Sequence, residues 1–450
     1  MIPTTQGEFG QEILPVVVVG AGVAGLTAAY RLAQAGLRPL VLESYPEAGG
    51  LARAITVGGE KLDALYHHIF TSDTAYTSLA EELGLSDTIE WLPSRMGFWT
   101  EGRLWDFGTP LSLVKFGPLS IADKFRFAWW TLMLQRSRNP APFEDITAKD
   151  WVCRHMGRRV WEKVWAPLFR QKFSTMAEDV AMVWLWGKIA LRGRSRSSSG
   201  MGERLGYMKG AFIRLVDALQ ERIVDHGGRI LFRTEVRSIS EATEGCFRVE
   251  ADQFSCLSRQ VLLATPADNA LRIAGELMSP EEREKISALR STGALCTVLE
   301  LKQSLSPYYW LNIADASMPF GGLIEHTNYV PRSRYGNQHI LYISNYLFPD
   351  DPLFLSPRRS LMESYVPALK RINPDFDESW INKVHHFRAE SAQPVVDRGY
   401  RRRVPSMETS VPGLVLCTMA QIYPEDRGQN YAVVYGERAA EVLISRLRDR

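Results

Sequence analysis

A run of four valines, Val16, Val17, Val18 and Val19, breaks at a glycine, and Gly20, Gly22 and Gly25 then follow in GxGxxG spacing. An unbroken β-branched run with no polar alternation predicts a parallel strand covered on both faces. Leu26, Ala28, Ala29, Leu32 and Ala33 recur at helical spacing, and Gly36 closes the helix. In such a strand, turn and helix the first glycine permits the bend. The second lets a pyrophosphate reach the backbone, and the third lets the helix pack closely on the strand. The helix start offers unpaired N–H groups and a partial positive charge to the phosphates. Residues 39–42 predict a second strand that ends in Glu43, about 20 positions on, where a carboxylate accepts hydrogen bonds from a ribose diol and disfavours a 2′-phosphate.

Beyond Glu43 the chain carries the diglycine Gly49-Gly50 and then Arg53. With these, residues 16–53 resemble the signature of the flavin amine oxidase, protoporphyrinogen oxidase and phytoene desaturase superfamily. That resemblance implies FAD as cofactor, with the diglycine passing under its pyrophosphate and Arg53 meeting the phosphates, although Arg53 stands two places later than in amine oxidases. Residues 207–228 are similar to the helix with which these proteins re-enter the dinucleotide domain, and residues 229–232, 236–239, 247–251 and 261–264 to the short strands that follow. Val236 matches the adenine contact. Residues 412–417 resemble the family's final strand, and residues 430–447 the helix that aims its N-terminus at the flavin pyrimidine ring. Gly428, Asn430 and Tyr431 are thereby placed at that edge, where a helix start stabilises developing negative charge. The chain departs from the family where Gly-Asp commonly follows the last strand. It has Cys417-Thr418-Met419, so Asp426 substitutes only if the loop folds back.

The expected fold is α/β: a Rossmann-like FAD-binding domain of the glutathione-reductase type, amine oxidase-like, with an inserted α+β substrate domain. Residues 1–73, 206–269 and 398–450 would form the FAD-binding domain, and residues 74–205 and 270–397 the substrate-binding cap. A chain of 450 residues suits such an arrangement. Neither insertion holds a second GxGxxG after a strand, which favours the substrate over a nicotinamide coenzyme as electron donor.

Within the first insertion, residues 120–138 predict a helix with Phe125, Trp129, Leu132 and Met133 as one stripe and Lys124, Arg126, Arg136 and Arg138 flanking it. A basic amphipathic helix can lie on an anionic membrane; a stripe packed into the cap is the favoured reading. Trp151, Trp161, Trp165, Trp184 and Trp186 read as aromatic packing or the wall of an apolar pocket. The Gly/Ser-rich residues 191–200 read as a solvated loop or lid. His67 and His68 are candidate proton relays, with a structural role competing for each, and Tyr431 is a further catalytic candidate. His385-His386 lacks a carboxylate at ligand spacing, and no metal site is expected. Most of Tyr308, Tyr309, Tyr329, Tyr342 and Tyr346 are expected in sheet packing.

Lys and Arg number 53 against 51 Asp and Glu, a formal +2, so no overall charge excess points to nucleic acid. Five cysteines without a CxxC pair argue against a disulfide framework and fit a reducing, cytoplasmic compartment. The first residues lack the pattern of a secretory signal, and no apolar run is long enough to span a bilayer. The expectation is a protein that is soluble, or at most in peripheral membrane contact, with no preferred oligomeric state. The function expected first is oxidation of a C–H bond in a small amine, porphyrinogen-like or isoprenoid-like substrate, with dioxygen or another acceptor. The alternatives are a non-redox flavoenzyme resembling the sugar-nucleotide mutases, which predicts an arginine clamp such as Arg332 and Arg334, and a flavin-binding protein without turnover.

Overall fold

The computed structural model of the protein describes residues 12–195, 204–243, 245–252 and 254–448. The valines lie in strand β1 (Ile13–Val19). Val16 and Val18 point into one apolar core and Val17 and Val19 into another, so both faces of the strand are covered. β1 pairs in parallel with β2 (Leu40–Leu42) on one side and with Ser255–Leu263 on the other. β2 continues in parallel to Arg229–Leu231, and Ser255–Leu263 to Leu414–Leu416. Three stretches far apart in sequence thus build one parallel sheet, and the hairpin Val236–Thr243 and Cys246–Ala251 extends it antiparallel.

Helix α1 (Val23–Gln34) leaves β1 through the glycine turn. A Cβ on Gly25 would stand 2.1 Å from the Gly20 carbonyl oxygen, so the missing side chain is what lets α1 sit this close to the strand end. The last helix, Gln429–Arg448, crosses α1 by the same device: a Cβ on Gly436 would stand 2.5 Å from the Ala24 oxygen.

A second sheet of seven strands runs in the order Ile381–Pro394, Ser291–Leu301, His339–Leu347, Gly322–Glu325, Trp310–Ile313, Met96–Thr100, Arg103–Phe107. It takes strands from both insertions, joined by the parallel pairing of Met96–Thr100 with Trp310–Ile313. Helices between residues 110 and 195 surround an aromatic core that holds Trp151, Trp161, Trp184 and Trp186, with Trp165 against it. Helix Met182–Ser195 continues into the segment read from sequence as a Gly/Ser-rich loop; residues 196–203 of that segment lie outside the described residues.

One expectation is reversed. The helix Ile121–Arg136 forms, capped by Ser120 and Asp123 in a reciprocal box, but its Phe125, Trp129 and Leu132 stripe faces outward. Phe127, Trp130 and Leu134, on the opposite side, take the core: Phe127 stacks on Trp165, and Trp130 meets Trp151 edge-on at 5.4 Å. Two apolar faces compete on this helix, and the one that found aromatic partners went inward.

Gly25→Ala is expected to lower folding stability by about 3 kcal/mol or more, because the new methyl meets backbone that cannot yield. Equilibrium urea unfolding measures it, and a loss below 1 kcal/mol, on the scale of an ordinary exposed substitution, contradicts the packing described.

Candidate cofactor groove and active-site cleft

The glycine turn and the diglycine loop form one cradle. Gly22 and Gly49 make a parallel bridge, and Gly49 N–H donates to the Ala21 carbonyl at 2.9 Å. Gly49 and Gly50 both take positive φ, at 119° and 56°. Gly22 is different: its backbone is extended, with φ −74°, and a Cβ there would touch nothing within 4 Å. Neither its backbone nor its protein neighbours require a glycine, so the space is kept for something else. Glu43 is buried at the end of β2; its carboxylate accepts from Ala21 N–H at 2.8 Å, Tyr45 N–H at 2.9 Å and Ser44 Oγ at 3.2 Å. Of about four lone-pair positions one remains for a ribose hydroxyl. Arg53 folds back over the loop, donating from Nε to the Gly50 carbonyl at 3.0 Å and lying 4.5 Å from the Tyr45 ring centroid. The turn before Val236 is docked on the same corner by Arg233 N–H to Tyr45 O and Thr234 N–H to Glu43 O, and Val236 beyond it is buried.

At the other end of the groove stands the start of Gln429–Arg448. The space beside Gly428 is open, and both side-chain amide atoms of Gln429 are buried without a hydrogen-bond partner among the described residues. An orphaned amide beside a helix start, together with a cradle cleared of side chains, fits an extended dinucleotide whose flavin edge reaches Gln429. Asn430 accepts from Tyr76 N–H at 3.0 Å through its Oδ1 and so ties this helix to Thr74–Glu82.

Between groove and second sheet opens a small cleft, whose walls include Leu51, Tyr66, His67, Cys296, Tyr346 and Arg427. Ser344 Oγ donates to Tyr66 Oη at 3.1 Å, Tyr66 Oη donates to Tyr346 Oη at 3.3 Å, and the Arg427 guanidinium donates to Tyr346 Oη as well. Burial, reinforced by Tyr346, raises the Tyr66 phenol well above its ordinary value. For Arg427, burial opposes the charge but Tyr346, Asp426 and Tyr66 outweigh it and hold the guanidinium firmly charged. His67 has a buried Nδ1 without a hydrogen-bond partner among the described residues; burial, and then Arg427, pull its pKa down to about 4, so it is a neutral imidazole at neutral pH.

Three expectations change on this geometry. Asp426, offered from sequence as a substitute for the Gly-Asp acid if the loop folds back, points into the inserted lobe. Lys172, at 3.2 Å, and Lys188 pair with its Oδ2, while Trp184 Nε1 and Gln393 Nε2 donate to Oδ1 at 3.0 and 2.9 Å. Those donors occupy the carboxylate's acceptor capacity. Burial opposes its charge, yet Lys172, Lys188 and Arg427 outweigh it and keep the carboxyl well below the ordinary range. His68 turns from the cleft and meets Tyr309 Oη at 3.3 Å, with Phe70 and Trp310 edge-on to its ring. Tyr431 lines a separate cavity with Trp186, Lys188 and Asp426, because the first turn of the helix rotates it off the groove side. Of the three catalytic candidates, His67 alone is on the cleft wall. Arg427 escaped the sequence reading; the polar run between the last strand and the last helix was its only signal.

Asp63 was also missed. Its buried carboxylate accepts from Tyr207 Oη at 2.9 Å and Phe212 N–H at 3.2 Å, and its carbonyl accepts from Tyr342 Oη at 2.7 Å. One residue therefore fixes the loop bearing Tyr66 and His67 to the middle segment and to the second sheet.

Groove and cleft together define a dinucleotide-binding protein of the flavin type. The model of the flavin-containing amine oxidoreductase family matches residues 23–444, and the chain belongs to that family; its cofactor is FAD. It is 24% identical over 303 residues to amine oxidase [flavin-containing] A of Bos taurus, covering 63% of this chain and 55% of the relative. It is 25% identical over 304 residues to 15-cis-phytoene desaturase of Capsicum annuum, covering 61% and 49%. The chain thus spans about half the length of the curated relatives it matches. A solved structure assigned as a protoporphyrinogen oxidase from Exiguobacterium sp. 255-15 superposes with a TM-score of 0.77 over 98% of this chain and 100% of that one; at 17% identity the likeness speaks for the fold.

Gly22→Val is expected to keep the fold and to lower FAD retention by at least about tenfold, by filling the space a diphosphate needs. Flavin absorbance per mole of purified protein, with the melting temperature beside it, reads both effects; full occupancy rejects the placement. A second expectation concerns pH. Burial raises the Asp63 carboxyl to about 7 from its ordinary value of 3.8. Between those values the folded state keeps a proton that the unfolded chain has released, so this group's contribution to stability falls as pH rises and is constant above about 7. Asp63→Asn should gain on the parent protein from about pH 4 to pH 8, by as much as about 4 kcal/mol. Paired urea titrations at the two pH values show it, and an unchanged or opposite difference overturns the assignment.

Proposed function

We propose that this protein is an FAD-dependent oxidoreductase that removes hydride from a C–H bond of a small organic substrate held in the cleft beside His67, Tyr346 and Arg427. When bound, FAD supplies the two-electron acceptor, and dioxygen or another oxidant regenerates it. The observation that carries the reading is the place of the cleft. Leu51, directly after the diglycine, and Arg427, two residues before the last helix, bring the two cofactor segments to it, and Cys296, Ser344 and Tyr346 close it from the second sheet.

The chain's own residues set what such a substrate meets. Tyr346 oxygen accepts from both Tyr66 and Arg427, so its own proton is available to a substrate acceptor. His67 offers a neutral ring, one nitrogen an N–H donor and the other an acceptor, that is a weak base at neutral pH. Among the described residues that line the wall, Arg427 is the one charged group and none is a carboxylate. A neutral, apolar or carboxylate-bearing substrate suits this lining better than a protonated amine, which would have to enter as the free base. The low-dielectric wall of Leu51, Leu65, Ala294 and Cys296 excludes water and strengthens these contacts. The arginine clamp expected of a mutase is not formed by Arg332 and Arg334: Arg334 pairs with Glu90 at 2.7 Å and Arg332 lies against His339. Five free cysteines support a reducing, cytoplasmic setting.

Anaerobic addition of substrates from the three chemical classes, followed by admission of air, tests the proposal. Loss of the visible flavin absorbance with matching oxidised product, and its return in air, is expected for a substrate of this enzyme. Conversion of a substrate with the flavin band unchanged throughout would show a non-redox reaction instead.

A further inference from the structure

We propose that the face built by helices Pro110–Lys115 and Ile121–Arg136 docks the protein on the surface of an anionic lipid bilayer. Among the described residues ten large apolar side chains are exposed, and six of them lie here: Leu111 and Val114 on the shorter helix, Ile121, Phe125, Trp129 and Leu132 on the longer one. Ile121 is 87% exposed and Phe125 70%. A contiguous apolar surface of this kind on a folded protein marks an interaction site.

The fold does not need this face. At about 100° per residue, Ile121, Phe125, Trp129 and Leu132 fall within about 80° of arc, and the opposite side, through Phe127, Trp130 and Leu134, already anchors the helix to the aromatic core. Lys124 and Arg126 stand about 100° to either side of Phe125, and Arg136 continues the stripe at its C-terminal end. Lys124 Nζ donates to the Val114 carbonyl at 2.7 Å, so the two helices present their apolar side chains as one surface.

Charge selects the occupant. Residues 107–143 hold Lys115, Lys124, Arg126, Arg136 and Arg138 against a single acid, Asp123, and that acid is buried in the helix cap, bonded to Ser120 and paired with Arg126 at 3.8 Å, which leaves the face a clear basic excess. A second copy docking through the same face would set two basic rims against each other. An anionic bilayer satisfies both features at once. Phe125 and Trp129 enter the boundary between headgroups and acyl chains, while the long basic side chains reach lipid phosphates on either side. Nothing long enough to cross is involved: among the described residues no helix is long and apolar enough to span a membrane. The docking is independent of the chemistry in the cleft.

Sedimentation of the full chain, loaded with its cofactor, with vesicles of phosphatidylcholine alone and of phosphatidylcholine mixed with phosphatidylglycerol tests this. Binding to the mixed vesicles at least about tenfold tighter than to the neutral ones, weakening with salt, is expected. The pair Phe125→Ser with Trp129→Ser should lose about tenfold or more of that binding with melting temperature and flavin content unchanged. The pair Arg126→Glu with Arg136→Glu should lose the preference for anionic lipid. A parent protein that does not sediment with the mixed vesicles, or a Phe125/Trp129 variant that binds like the parent, overturns the proposal. So does a dimer seen by analytical ultracentrifugation for the parent and abolished in that variant, which would give the face to a second copy.

Discussion

The distance between the first turn of α1 and the end of β1 governs this architecture. With no side chain on Gly25, the helix start can rest against the Gly20 carbonyl, and that contact aims free backbone N–H groups along the edge where parallel strands end. Everything laid over the edge follows from it: the diglycine loop bridged to Gly22, the carboxylate of Glu43 under Ala21, and the last helix drawn across α1 at Gly436. Had α1 stood off by the width of a methyl group, these elements would lose the common line on which they converge.

Beside a shared apolar core, buried polar groups fasten the inserted lobe to this frame. Asp63 fastens the cleft loop to the middle segment and the second sheet, and Asp426 gathers Lys172, Lys188, Trp184 and Gln393 from the insertions. The neighbour of Asp426, Arg427, turns the other way into the cleft. Adjacent residues of one loop thus serve the joint between lobes and the wall of the site, and removing either partner of such a buried pair leaves a charge uncompensated.

The cofactor frame could be read from sequence because its signals are local: an unalternated valine run, glycines at fixed offsets, and a helix with its cap within a few tens of residues. The fold class and the family followed from those. The cleft could not be read this way. Tyr66 and Tyr346 meet across 280 positions, and no short window contains that information. Direction was the second blind spot. His67 and His68 are neighbours, yet one lines the cleft and the other meets Tyr309. The stripe of Ile121–Arg136 was correct as a stripe and wrong in its facing, since periodicity defines a face without saying which of two finds partners. Asp426 was noticed for its charge, while its destination depended on two lysines from a distant helical lobe.

The parallel sheet has a consequence for how the molecule comes into being. Its strand Leu414–Leu416 and the helix Gln429–Arg448 leave the ribosome long after β1 and α1, yet they form one flank of the sheet and the far wall of the groove. The nascent polypeptide must carry an unpaired edge on Ser255–Leu263 and an uncovered α1 until these elements emerge, so the groove is complete for its coenzyme only after they have been made.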